Sequence, residues 1–161
     1  MELPKRKPNR LPYFDYSTPG AYFITICTQD RKCIFWDTVG ASIARPHLYS
    51  LSKCGMIANQ AIHNIPVHYP AISLDHYVIM PNHIHLLLQI NTDTDGRPMV
   101  APTISTVVQQ LKGVVTKQIG QPIWQKLFHD HVIRGEKDYL KIWEYIEHNP
   151  ARWKEDCFYE E

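Results

Sequence analysis

The chain has 161 residues, with 17 Lys and Arg against 16 Asp and Glu and a formal net charge of +1 when its nine histidines are neutral. That length is one domain's worth, and 44% apolar with 20% charged residues excludes a disordered or fibrous chain. The basic opening MELPKRKPNRLPYF has no apolar stretch behind it and no later run could span a bilayer, so the expectation is a soluble, intracellular protein.

After a basic, proline-bearing arm (residues 1–19), Gly20 opens AYFITICT, whose aromatic and β-branched residues predict a first strand. The stretch from Arg31 to Ser50 is irregular, with a short ribbon expected near Ile34 to Trp36 and Leu48 to Ser50. Leu51, Cys54, Gly55, Ala58, Ala61, Ile62 and Ile65 then recur at three- and four-residue spacing, one face of a helix that ends before Pro66. Ile72 to Met80 and His83 to Ile90 are apolar, β-rich runs parted by Pro81-Asn82, a pair suited to the middle of a tight turn. They predict a hairpin.

NTDTDGRPMVAP is a polar, turn-rich loop, and Thr103 is placed to cap a second helix striped by Ile104, Val107, Val108, Leu111, Val114 and Val115. Phe128 to Arg134 predicts a last strand. Gly135 separates it from a third helix, about Glu136 to Asn149, stopped by Pro150. The order β, α, β, β, α, β, α is the split βαβ, ferredoxin-like α+β arrangement: an antiparallel sheet with an added C-terminal helix. That topology hosts many activities, so function must come from a site.

His83 and His85 alternate with Ile84 and so share one face of their strand, where two imidazoles can converge on a cation. Two packed sheet histidines would give the same pattern. On the third helix, Tyr139, Leu140, Ile142, Trp143 and Ile146 make the expected buried stripe. Tyr145 and Asn149 fall side by side on its flank, one turn apart, where a ring can pack and still present its tip. Tyr145 is therefore the better nucleophile candidate and Tyr139 the core residue. His76, His129, Asp130, His131 and His148 lie near these motifs, with His148 expected to be solvated. The four cysteines, Cys27, Cys33, Cys54 and Cys157, form no C-x-x-C pair and read as reduced thiols.

MPNHIHLLL at the hairpin, WQKLFHDHVIRGEKDYL before the last helix, YIEHNPARW within and beyond it, and FDYSTPGAYFITICTQDR near the start resemble the REP-associated tyrosine transposases, relatives of small insertion-sequence transposases in the HUH endonuclease group. The resemblance implies cleavage and rejoining of single-stranded DNA at imperfect palindromes that fold into hairpins, through a 5′-phosphotyrosine. It implies Tyr145 as nucleophile, His83 and His85 as the metal pair, Asn149 as a third, amide ligand where many relatives place Gln, and Mg²⁺ or Mn²⁺ as cofactor. It further implies a prokaryotic, cytoplasmic, nucleoid-associated protein, and leaves monomer and homodimer both open. A hairpin-binding module that does not cut, or a metabolite sensor of the same fold, are the competing functions; no phosphate-cradling glycine loop supports the sensor.

The near-neutral total first argues against a nucleic-acid partner. Divided along the chain, it does not. Residues 1–10 carry +3, including Lys5, Arg6, Lys7 and Arg10, residues 152–161 form an acidic tail of −2, and residues 11–151 sum to zero, yet within them the acid-free stretch 96–129 holds +4; residues 20–151 are expected to be the catalytic domain. Lys112, Lys117 and Arg134 join the arm's cations as candidate DNA contacts, a local basic surface with a salt dependence of its own.

Overall fold

The computed structural model describes residues 10–37, 50–93, 95–97 and 100–160. Strands β1 (Gly20–Cys27), β2 (Ile72–Ile79), β3 (His83–Ile90) and β4 (His129–Val132) form one sheet in the order β2-β3-β1-β4. Every neighbouring pair is antiparallel. Helices α1 (Lys53–His63), α2 (Ile65–His68) and α3 (Ile104–Ile119) cover one face, while α4 (Glu136–His148) lies on the other. This is the ferredoxin-like α+β architecture with an extra C-terminal helix.

The central pair β1 and β3 is in register along its whole length, from Gly20 opposite Ile90 to Cys27 opposite His83. Because side chains alternate, that register sends Ile24, Ile26, Ile84, Leu86, Leu88 and Ile90 into the main core beneath α1 and α3. Thr25, His83, His85 and Leu87 go to the α4 face. There the core is smaller: Ala21, Val78, Met80, Leu87 and Ile146. Both faces of β3 are covered, which is why its residues other than Gln89 are all buried.

Local chemistry sets the helix ends. The Ser52 hydroxyl accepts the Gly55 N–H at 3.1 Å and donates to the Ile34 carbonyl at 2.5 Å, capping α1 and tying it to the preceding segment. Thr103 caps α3 as its position predicts, and Gly120, with φ of 87°, ends it in the left-handed conformation. No helix among the described residues is long and apolar enough to cross a membrane.

Three expectations need adjusting. The ribbon before α1 is a single bridge between Trp36 and Leu51, one residue beyond the expected partner segment, and residues 38–49 lie outside the described ones. The last strand is shorter than expected, His129–Val132. On α4, Leu140 and Trp143 are 57% and 38% exposed instead of buried. The sheet face is only wide enough to cover the ridge through Tyr139, Ile142 and Ile146, so residues on either side of it remain at the surface.

Helix α1 approaches the chain before it closely enough that a Cβ on Gly55 would collide with the Phe35 carbonyl oxygen. Gly55→Ala is therefore expected to destabilise the fold by on the order of 1–3 kcal/mol despite alanine's better helix propensity. Urea unfolding of the two proteins measures it.

Candidate active site

The antiparallel register lays Thr25 opposite His85 and Cys27 opposite His83, and the Pro81-Asn82 turn delivers the two histidines at the start of β3. Both are buried, at 0% and 1% exposure. Their Nε2 atoms face each other at 3.1 Å.

The other ring nitrogens are held from outside the pair. Asn82 spends its Nδ2 on the Phe158 carbonyl at 2.7 Å and the Arg31 carbonyl at 3.2 Å, so its Oδ1, 2.9 Å from His83 Nδ1, must be an acceptor. His83 therefore carries its proton on Nδ1 and turns an Nε2 lone pair inward. His85 Nδ1 lies 2.8 Å from the Thr25 hydroxyl, a rotor that can donate or accept. With Thr25 donating, His85 Nε2–H satisfies His83. With Thr25 accepting, both Nε2 lone pairs converge on one point, an arrangement that only a cation makes favourable. The spacing suits one, since cis positions around an octahedral ion with bonds of about 2.1 Å lie roughly 3 Å apart.

Two further oxygens border that point. The Asp156 carboxylate, whose side chain is 1% exposed, has Oδ2 at 3.8 Å from His83 Nε2. Ligand atoms of His83, His85 and Asp156 all fall within 4.8 Å of one another. Asn149, 4% exposed at the end of α4, donates from Nδ2 to Asp156 Oδ2 at 3.0 Å. Its Oδ1 is buried without a hydrogen-bond partner, a lone-pair-bearing oxygen left to accept from or ligate something else.

Tyr145 stands beside the pair. Its ring centroid is 5.3 Å from that of His85 and 6.0 Å, edge to face, from Phe23, while 43% of the residue stays exposed. A cavity of about 620 Å³ opens along it, lined among others by Lys141, Asn149, Arg152 and Asp156. Burial, then the Asp156 carboxylate, pushes the phenol above its ordinary pKa, so it is protonated at neutral pH. Burial also lowers His83 to about 4 against the opposing pull of Asp156, and holds His85 well below 6.5 with His83 adding to it. Both imidazoles are therefore neutral at pH 7, the form that ligates metals.

Of the residues singled out from the sequence, His83, His85, Tyr145 and Asn149 come together. The cations do not join them. Lys112 is half-buried, its pKa drawn down by desolvation, and its ammonium donates to the Gln125 carbonyl at 2.8 Å. With the exposed Lys117 it sits on α3, across the sheet from the histidines. Arg134 is exposed at the turn into α4, and Arg10 lies 4.9 Å over the Phe128 ring. Lys5, Arg6 and Lys7 lie outside the described residues. Thr25, Asn82 and Asp156 escaped the sequence: the first two look like ordinary strand and turn residues, and Asp156 sits in a stretch that counts only as charge.

No family model matches the chain. A Haemophilus influenzae relative, itself uncharacterized, is 32% identical over 173 residues, spanning 96% of this chain and 93% of its own. A second H. influenzae relative, named for the REP-associated tyrosine transposases, is 26% identical over 147 residues, 86% of this chain and 74% of its own. In sequence the chain is thus similar to the REP-associated tyrosine transposases. The solved structure of a REP-associated tyrosine transposase bound to a REP hairpin has the same fold, with a TM-score of 0.60 at 22% identity over 89% of this chain and 72% of that one. A transposase structure from Deinococcus radiodurans gives a TM-score of 0.50 at 17% identity, covering 86% and 95%.

The depressed histidines make the chain's stability pH-dependent. Between pH 6.5 and about 4 the unfolded chain protonates His83 while the folded chain resists, so stability falls as the pH drops through that window. Lowering the pH from 7 to 5 in chelator should cost on the order of 1–2 kcal/mol from this residue, and His83→Gln should flatten the slope in urea unfolding.

Proposed function

We propose that this transposase cuts and rejoins single-stranded, hairpin-bearing DNA, with Tyr145 as nucleophile and a divalent ion, Mg²⁺ or Mn²⁺, held by His83, His85 and the Asn149 amide oxygen. The observation that carries the proposal is the convergence of two neutral Nε2 atoms at 3.1 Å beside the Tyr145 ring. The unpartnered Asn149 Oδ1 supports the third ligand, and the Asp156 carboxylate is a fourth oxygen within reach. The hairpin bound in the structural neighbour supports the substrate class. Residues 20–151 would supply the nucleophile and the imidazoles, the arm of residues 1–19 further cations, and the tail of residues 152–161 the carboxylate.

When bound, the ion supplies charge neutralisation at the scissile phosphate. The protein does the rest. Asn82 and Thr25 hold the imidazole planes, and Tyr145 on α4 has its ring centroid 5.3 Å from that of His85. Tyr145 Oη attacks phosphorus in line, the bond to the 3′ oxygen breaks, and the proton lost by the phenol is balanced by the one that oxygen gains. The product is a 5′-phosphotyrosine and a free 3′-hydroxyl, which conserves the ester for rejoining by the reverse reaction. Because burial raises its pKa, Tyr145 is protonated at neutral pH and must give up its proton to attack, so activity is expected to rise with pH through the neutral range.

Incubation with a hairpin oligonucleotide and Mn²⁺ should give a protein-DNA adduct that survives denaturing electrophoresis. Tyr145→Phe and excess chelator should each abolish it, while His83→Ala removes the adduct and keeps hairpin affinity. Hairpin binding by the unaltered chain with no adduct under either metal would favour the non-cutting module instead. Thr25→Val, which keeps the shape and removes the acceptor behind His85, should weaken Mn²⁺ binding by about tenfold or more in calorimetry.

A further inference from the structure

Helix α4 carries the proposed nucleophile but is thinly packed. Ile146 is its one buried helical residue, whereas α3 buries Ile104, Val107, Val108, Leu111 and Val115. Something besides hydrophobic burial must fix where Tyr145 stands.

The β2 edge supplies it. Counting from the hairpin turn, His76 opposes Leu87 and so faces α4, yet two residues earlier Leu74 opposes Leu88 and faces the core. Both are satisfied because the strand bulges, with Asp75 as the extra residue. Asp75 and His76 are thereby both turned to α4. The His76 ring stacks on Trp143, centroids 4.4 Å apart and planes at 24°, and its Nε2 donates to Glu147 Oε2 at 2.9 Å. One turn earlier, Tyr139 Oη donates to Asp75 Oδ2 at 2.8 Å. Trp143 and Glu147 are four residues apart and share one side of α4; Tyr145, between them in sequence, projects from nearly the opposite side, toward His85.

Gripping Trp143 and Glu147 therefore fixes the rotation of α4 about its own axis. A roll of only about 10° would carry a phenol oxygen lying roughly 8 Å from that axis through more than 1 Å, a displacement that is costly for an in-line attack. The Glu147 contact is the weaker half, since that carboxylate is 60% exposed and surface ion pairs contribute little. The stack is the stronger.

We infer that His76 is a positioning residue for transposition: its stack on Trp143, set up by the bulge at Asp75, holds the tyrosine helix in the orientation that presents Tyr145 to the histidine pair. This rests on Tyr145 being the nucleophile, and two independent readouts separate the two ideas. One is the single-turnover rate of adduct formation on a hairpin oligonucleotide with Mn²⁺. The other is backbone amide exchange by mass spectrometry in the metal-free, DNA-free chain.

His76→Ala should slow adduct formation by about tenfold or more while hairpin Kd and Mn²⁺ affinity stay within about twofold, and should speed exchange in residues 139–148 without altering β1 or β3. His76→Phe, which keeps a stacking ring and removes the hydrogen bond, should restore both to within about threefold, and Glu147→Gln should change either by less than that. Unchanged rate and exchange in His76→Ala would overturn the inference. So would a Phe variant as slow as Ala, or a loss of hairpin affinity in proportion to the rate. If the unaltered chain forms no adduct, the nucleophile assignment falls, and the exchange comparison still decides whether His76 holds α4.

Discussion

Everything at this site depends on two imidazoles kept in a place where neither can readily carry a charge. Burying a polar ring is costly unless its hydrogen bonds are met, and for His83 and His85 they are met on the far side, by Asn82 and Thr25. That leaves the near side, two nitrogens at 3.1 Å, as the only variable part. The antiparallel register of β1 and β3 makes this possible, because it puts a hydroxyl opposite the second histidine, and the hairpin turn puts a carboxamide just before the first. A shift of one residue in that register would turn both histidines into the helix-covered core and leave Ile84 where they stand.

The two halves of the site are held differently, and the difference has a physical reason. The histidines sit on the most buried strand of the sheet, so their positions are set by packing on both faces. Tyr145 rides on a helix attached by a small apolar patch together with polar and aromatic ties: His131 to Asp138, Tyr139 to Asp75, His76 to Trp143 and Glu147, and Asn149 to Asp156. Ties of this kind fix direction better than they fix free energy. The site thus combines a rigidly held histidine pair with a tyrosine on a lightly held helix, so the two halves differ in how freely they can move relative to each other.

The sheet and its strand order were legible because β1, β2 and β3 are apolar, β-rich runs with turn residues between them, and because a split βαβ order leaves few alternatives. The histidine pair and Tyr145 were legible for a simpler reason: period-two and period-3.6 geometry assigns a face without any knowledge of partners. What could not be read is what depends on partners. The wheel centres the α4 stripe correctly but says nothing of how much sheet lies beneath it, and so it buries Leu140 and Trp143, which are exposed. Asp156 belongs to no periodic element, and only the fold brings it to His83. The bulge at Asp75 leaves no trace in the residue pattern, since either register of β2 alone would place an apolar residue on each face.

The charge distribution carries the same lesson further. The acid-free stretch 96–129 is a true feature of the sequence, but a linear window does not map onto one surface. Its Lys112 is spent on a backbone carbonyl, and both Lys112 and Lys117 are on the layer opposite the histidines. The cations that line the cavity beside Tyr145 are Lys141 and Arg152, from α4 and the segment after it, where they are interleaved with Glu144, Glu155 and Asp156. Around the candidate nucleophile the protein is thus close to electrically balanced, and the attraction for a polyanion is displaced to other surfaces. Under the proposed function, a phosphate at Tyr145 would be neutralised locally, by a cation held where the two imidazoles and the Asn149 oxygen lie, rather than by a basic wall, and in a cleft of mixed charge a single bound cation has a large effect.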